Sequence, residues 1–125
     1  MLAYSTIGVN HMPRSIAFYD AVFTPLGVVR DTTSDTWTGY SRKGEAGKFF
    51  LSRPFDRAMA TGGNGAMLAF LAADRAAIDA FYAAALDHGG SDEGPPGVRD
   101  AMNPVFYAAY VRDPDGNKLC AFVRK

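Results

Sequence analysis

A chain of 125 residues has the length of one ordinary domain, long enough to bury a real core. Its 48% hydrophobic and 21% charged content is that of a globular protein, and its 13 basic and 13 acidic side chains cancel without any block of like charge, so neither a nucleic-acid partner nor a membrane surface is expected. The longest apolar run, 66–73, is too short to span a bilayer, no signal peptide is expected, and a single cysteine, Cys120, forbids an internal disulfide and suits a reducing cytoplasm.

Residues 4–9 form a short β-branched and apolar run that predicts a strand ending at Asn10-His11. Pro13 suits the first turn of a helix, where its missing N–H costs nothing. Ile16, Tyr19, Phe23 and Leu26 follow at helical spacing and predict one apolar stripe, which Pro25 and Gly27 end. Residues 27–33, 36–42 and 48–53 then read as three strands separated by turn-like segments. Residues 53–65 read as loop, with Gly62-Gly63-Asn64-Gly65 as the candidate linker between two halves.

The second half repeats this order. Residues 66–72 predict a strand, and Asp74 is a good helix N-cap. Ile78, Phe81, Tyr82, Ala85 and Leu86 give the next apolar stripe, which Gly89-Gly90 stops. Residues 91–104, rich in Gly and Pro, read as mostly irregular with room for one short strand. Residues 105–112 predict a strand, Asp113-Pro114-Asp115-Gly116-Asn117 a tight turn, and 118–123 the last strand. The internal match is direct: Ala-Phe-Tyr at 17–19 recurs at 80–82, and the same offset of 63 carries Gly27 onto Gly90.

The two-fold βαβββ order, Pro-Arg-Ser-Ile-Ala-Phe-Tyr at 13–19 and Val-Arg-Asp-Pro-Asp-Gly-Asn-Lys at 111–118 carry a family likeness. The chain resembles the vicinal oxygen chelate superfamily, which includes glyoxalase I, bleomycin-resistance proteins and extradiol dioxygenases. The resemblance covers 1–125 and implies an α+β fold: two βαβββ modules, about 1–61 and 66–125, with curved mixed sheets around a cleft and helices on the outer face. It also implies a homodimer, whose modules pair within one chain or across two.

Enzymes of this family hold a divalent metal through His or Gln on the first strand and Glu on the last strand of each module. The resemblance places those positions at Tyr4, Phe50 (with Leu51 the next choice), Met67 and Cys120. A borderline or hard cation in such a site wants imidazole nitrogen and carboxylate oxygen, and neither is present, so no metal and no other cofactor is expected. Strand parity adds that Tyr4, Thr6 and Gly8 share one face, as do Met67, Ala69 and Leu71. Trp37 and Tyr40 have opposite parity, as do Tyr107 and Tyr110, of which Tyr110 is the one favoured for the cleft. A cleft lined by Tyr4, Phe50, Met67, Tyr110 and Cys120 is apolar and suits a small, largely apolar or aromatic molecule.

The leading expectation is therefore a metal-free family member that binds such a molecule, as the drug-sequestering members do. Two alternatives stay open: a glyoxalase-like lyase or isomerase with an atypical metal site, and a structural module without a ligand. The two histidines, His11 and His88, fall at helix ends and are read as structural. Cys120 is read as a small buried hydrophobe rather than a nucleophile. Met102 and Asn103 are candidates for a lid.

Overall fold

The computed structural model describes all 125 residues. Its first module runs β1 (Tyr4–Gly8), α1 (Met12–Phe23), a 3-10 turn (Thr24–Leu26), β2 (Val28–Thr33), β3 (Trp37–Arg42) and β4 (Lys48–Ser52). Its second runs β5 (Leu68–Leu71), α2 (Arg75–Asp87), β6 (Ser91–Val98), β7 (Phe106–Arg112) and β8 (Lys118–Arg124). Local chemistry sets the helix starts. The His11 ring accepts the Arg14 N–H at 3.2 Å, and the Asp74 carboxylate accepts the Ala77 N–H at 2.8 Å, each satisfying one free donor of a first turn.

Each module is one four-stranded mixed sheet, ordered β1-β4-β3-β2 and β5-β8-β7-β6. In both, the first strand runs parallel to the last, and the remaining pairs are antiparallel. The fold is thus α+β, built of two βαβββ modules with open curved sheets and helices on their outer faces. Registers repeat as well as elements: Thr6 pairs with Phe50, and Ala69 pairs with Cys120. Phe50 and Cys120 are therefore equivalent positions.

The modules share one core of 19 buried residues. The helices α1 and α2 pack against each other. Phe18 and Phe81, the central residues of the two Ala-Phe-Tyr segments, are both fully buried. Phe23 meets Phe49 at 5.5 Å and Phe70 at 5.1 Å between ring centroids, so one aromatic cluster spans both sheets. Most of both expected stripes is buried, Tyr19, Phe23 and Leu26 in the first and Ile78, Phe81 and Ala85 in the second, and shared packing widens them. On α1, Phe18 and Val22 are fully buried while Ile16 is only half-buried. On α2, Leu86 is exposed. A helix held between a sheet and a second helix buries a wider arc than one stripe.

Residues 91–98 differ from the mostly irregular expectation. They form β6, an edge strand whose pairing with β7 slips between Asp92 and Gly94 and again between Gly94 and Gly97. An edge position needs hydrogen bonds on one side only, so Pro95 and Pro96 are tolerated there, and the slips absorb the rest.

Polar contacts lock the end of β1 to the β7–β8 turn. Tyr19 donates to Asp113 at 2.7 Å, Asn117 donates to the Gly8 carbonyl at 3.1 Å, and Arg14 donates to Asp115 at 2.8 Å. Gly62 passes so close to this turn that a Cβ there would overlap the Gly116 carbonyl oxygen. Gly62→Ala is expected to lower stability by about 1–3 kcal/mol, read as a lower urea midpoint at constant m. Gly47→Ala is the control: open space surrounds that position, and a change within about 0.5 kcal/mol is expected. Equal effects at both sites would disprove the crowding at Gly62.

Candidate functional site on the concave face

The register of β1, β4 and β3 puts Tyr4, Thr6, Lys48, Phe50, Trp37 and Gly39 on one face. The opposite face sends Phe49, Leu51 and Tyr40 into the core. Leu51 is fully buried there, so Phe50 and not Leu51 is the β4 residue of the concave face. Phe50 meets Tyr4 edge-on at 5.6 Å and Trp37 at 5.2 Å. Gly39 makes room for this ring, since a Cβ there would come within 2.8 Å of it. Tyr4, Trp37, Lys48 and Phe50 together line a depression of about 310 Å³. Tyr4 and Trp37 remain 59% and 43% exposed, which is unusual for rings this large and leaves apolar area open to a ligand.

In the second module the corresponding face carries Tyr110, Arg112, Lys118, Cys120, Phe122 and Arg124. Tyr107 falls on the other face and packs against the core, as its parity requires. Cys120 is only 2% exposed. Burial pushes its thiol above the ordinary value, while the Tyr110 hydroxyl, Arg99 and Lys118 pull the other way. A raised thiol pKa disfavours the thiolate that a nucleophile needs. Tyr110 is raised as well, first by burial and then by Cys120. Two cations bracket its ring: the Arg99 guanidinium at 5.1 Å and the Lys118 ammonium at 5.7 Å from the centroid.

Met67 lies just before β5, half open to solvent. It lines a groove between the modules with Thr6, Ile7, Leu68 and Lys118. The structure therefore unites Tyr4 with Phe50 and Tyr110 with Cys120, and leaves Met67 in a groove that contains neither pair. The histidines stand apart. His11 caps α1, and the His88 ring sits 2.9 Å from the Ala84 carbonyl at the end of α2.

Sequence reasoning missed one wall of the site. Residues 53–61, expected as loop with Arg53 either at the cleft mouth or, as favoured, solvated, border a concavity of about 810 Å³ with Thr6, Gly8, Trp37 and Ser52. Phe55 and Met59 on that segment are exposed, and two large apolar side chains in a polar loop were the available signal. Met102 projects into solvent at 90% exposure on the turn before β7. The large concavity shares Trp37 with the aromatic depression, and Thr6 and Ile7 with the groove at Met67. The three are thus neighbouring concavities with shared lining residues.

The chain matches the model of the Glyoxalase/Bleomycin resistance protein/Dioxygenase superfamily over residues 2–121. The chain belongs to this superfamily. A solved glyoxalase/bleomycin resistance protein from Albidiferax ferrireducens T118 is 40% identical, with a TM-score of 0.90 over 100% of this chain and 99% of that one. A glyoxalase-related enzyme from Fulvimarina pelagi shares the fold at 16% identity and a TM-score of 0.78, covering 98% of this chain and 86% of that one. So does lactoylglutathione lyase from Agrobacterium tumefaciens, at 18% identity and a TM-score of 0.67, covering 98% and 92%. Comparison with curated proteins gives no match.

The metal that the superfamily's enzymes use does not fit the residues present. The positions that the resemblance marks for ligands, Tyr4, Phe50, Met67 and Cys120, carry a phenol, a phenyl ring, a thioether and a buried thiol. No three His, Cys, Asp or Glu side chains converge anywhere in the chain. A Zn²⁺, Ni²⁺ or Fe²⁺ site needs imidazole or carboxylate donors that this face does not offer.

Proposed function

We propose that the protein binds a small aromatic or largely apolar molecule on its concave face, without a metal centre. The observation that carries this reading is the donor set itself: Tyr4, Phe50, Met67 and Cys120 at the four ligand positions. Two of these residues, Tyr4 and Phe50, join Trp37 in an aromatic wall. Such a wall favours flat apolar ligands, which stack on or meet the ring edges.

The reading includes a reducing, cytoplasmic setting, in which Cys120 stays a thiol, and a homodimer. Exposed Leu2, Val29 and Leu71 are apolar area of the kind a second copy covers. Light scattering at micromolar concentration that returns only the monomer mass would remove the dimer. No helix is long and apolar enough to cross a membrane.

Metal titration tests the central claim. Ni²⁺, Zn²⁺ or Fe²⁺ at tenfold molar excess is expected to leave the melting temperature unchanged within about 1 °C, since a ligand that does not bind the native state adds no stability. Naphthalene or indole derivatives are expected to raise it. A cation-dependent rise that Cys120→Ala abolishes would favour the alternative reading, a lyase or isomerase with an atypical metal site.

A further inference from the structure

The chain as a whole is neutral, but its concave face is not. On the outward side of β7 and β8 stand Arg112, Lys118 and Arg124, and no acidic residue shares that side of those two strands. Arg99 reaches over the same surface to Tyr110. The only acidic partner here is Glu93, which pairs with Arg112 at 2.6 Å. In the first module Lys48 is matched by Asp31 at 3.3 Å. In the second module the face therefore keeps three cations without a carboxylate: Arg99, Lys118 and Arg124.

These three differ in what they are free to do. Arg99 donates to the carbonyls of Gly94, Pro95 and Ala108, so its guanidinium is fixed by backbone. Arg124 lies over the rings of Phe106 and Phe122. Lys118 has no hydrogen-bond acceptor and no ion pair, only the Tyr110 ring 5.7 Å away. It also lines the groove with Thr6 and Met67. Thr6 is the cross-strand partner of Phe50, whose ring meets Trp37 and Tyr4. An unpaired ammonium thus lines a groove that shares Thr6 with the concavity bordered by Trp37 of the aromatic wall.

Building on the aromatic-ligand reading above, we propose that the natural ligand is an aromatic anion, its ring on the Trp37–Phe50–Tyr4 wall and its carboxylate or similar acid on Lys118. A neutral aromatic molecule leaves the ammonium with no partner. A cationic one is repelled by Lys118 and by Arg99, which share the Tyr110 ring. Charge complementarity of this sort discriminates ligands more than it adds affinity, because part of the attraction offsets desolvation of the acid.

The test uses three probes of one shape: 2-naphthoate, 2-naphthamide and 2-naphthylmethylammonium, each titrated calorimetrically into the full chain. The carboxylate is expected to bind at least tenfold more tightly than the amide, and the ammonium most weakly. The preference is expected to shrink as salt is raised, since an open site is screened. Lys118→Gln is expected to bring the carboxylate down to the affinity of the amide while leaving the amide unchanged. Trp37→Ala is expected to weaken all three. Equal binding of carboxylate and amide would overturn the anion assignment, a preference that survives Lys118→Gln would overturn Lys118 as the partner of the acid, and either would leave the aromatic pocket standing. Failure of all three probes to bind at millimolar concentration would overturn both.

Discussion

Asp113→Ala is expected to cost about 3–5 kcal/mol of stability, a large share of what a small domain has. Asp113 is 4% exposed and accepts four hydrogen bonds. Two come from the backbone N–H groups of Asp115 and Asn117, both at 2.9 Å, and hold the β7–β8 turn. The others come from the Asn117 side chain at 2.9 Å and the Tyr19 hydroxyl at 2.7 Å. Only the last bond reaches the other module. Removing the carboxylate strands a fully buried phenol and frees the turn together. Tyr19→Phe removes one bond and leaves three, so about 1–2 kcal/mol is expected. In urea unfolding, the Tyr19→Phe change should cost less in the Asp113→Ala background than alone, because the partner is already gone. Strict additivity would show that the two groups do not act as a pair. The turn leads directly into Lys118 and Cys120, so the lock between modules also sets the second wall of the binding face.

How much of this was legible in the sequence follows from which interactions are local. The offset of 63 gave both modules, because a repeated strand, helix and Ala-Phe-Tyr segment are local patterns. Parity put Tyr4 and Thr6 on one face and separated Tyr107 from Tyr110, since alternation needs only an extended backbone. The burial of Phe18 was not legible in the same way. It depends on α2 packing against α1, a contact no single-helix stripe contains. The two tyrosines of the repeat also diverge: Tyr19 meets Asp113 across the modules, while Tyr82 donates to Asp92 in its own. The repeat equates the chemistry of Tyr19 and Tyr82 but not their partners. The unpaired state of Lys118 was equally hidden. Lys48, its register equivalent, is neutralised by Asp31, and only the fold shows that no acid answers Lys118.

Above a pH of about 10, the ordinary value for tyrosine, the protein is expected to lose roughly 1.4 kcal/mol per pH unit for each of Tyr19 and Tyr40. Both rings are buried. Burial is the main cause of a raised pKa in each, reinforced by Asp113 at Tyr19 and by Asp20 at Tyr40. The folded state holds these protons when the unfolded chain has already released them. Their contribution is therefore complete below the unfolded value and lost as pH rises toward the folded one. By pH 11.5 the two together should remove about 4 kcal/mol. Tyr82 and Tyr107 are raised in the same direction, but their hydroxyls bond to acids on the exposed surface and add less. Urea unfolding at about pH 8, 10 and 11 follows the loss, and Tyr→Phe variants separate these tyrosines from lysine deprotonation, which the same range includes. Tyr40→Phe should halve the extra slope, and Tyr19→Phe with Tyr40→Phe should remove most of it, at the cost of lower stability near neutrality. A slope unchanged in the double variant would mean that alkaline unfolding begins elsewhere. Phenolate absorbance gives a second readout: two of the six tyrosines should ionise only when the chain unfolds.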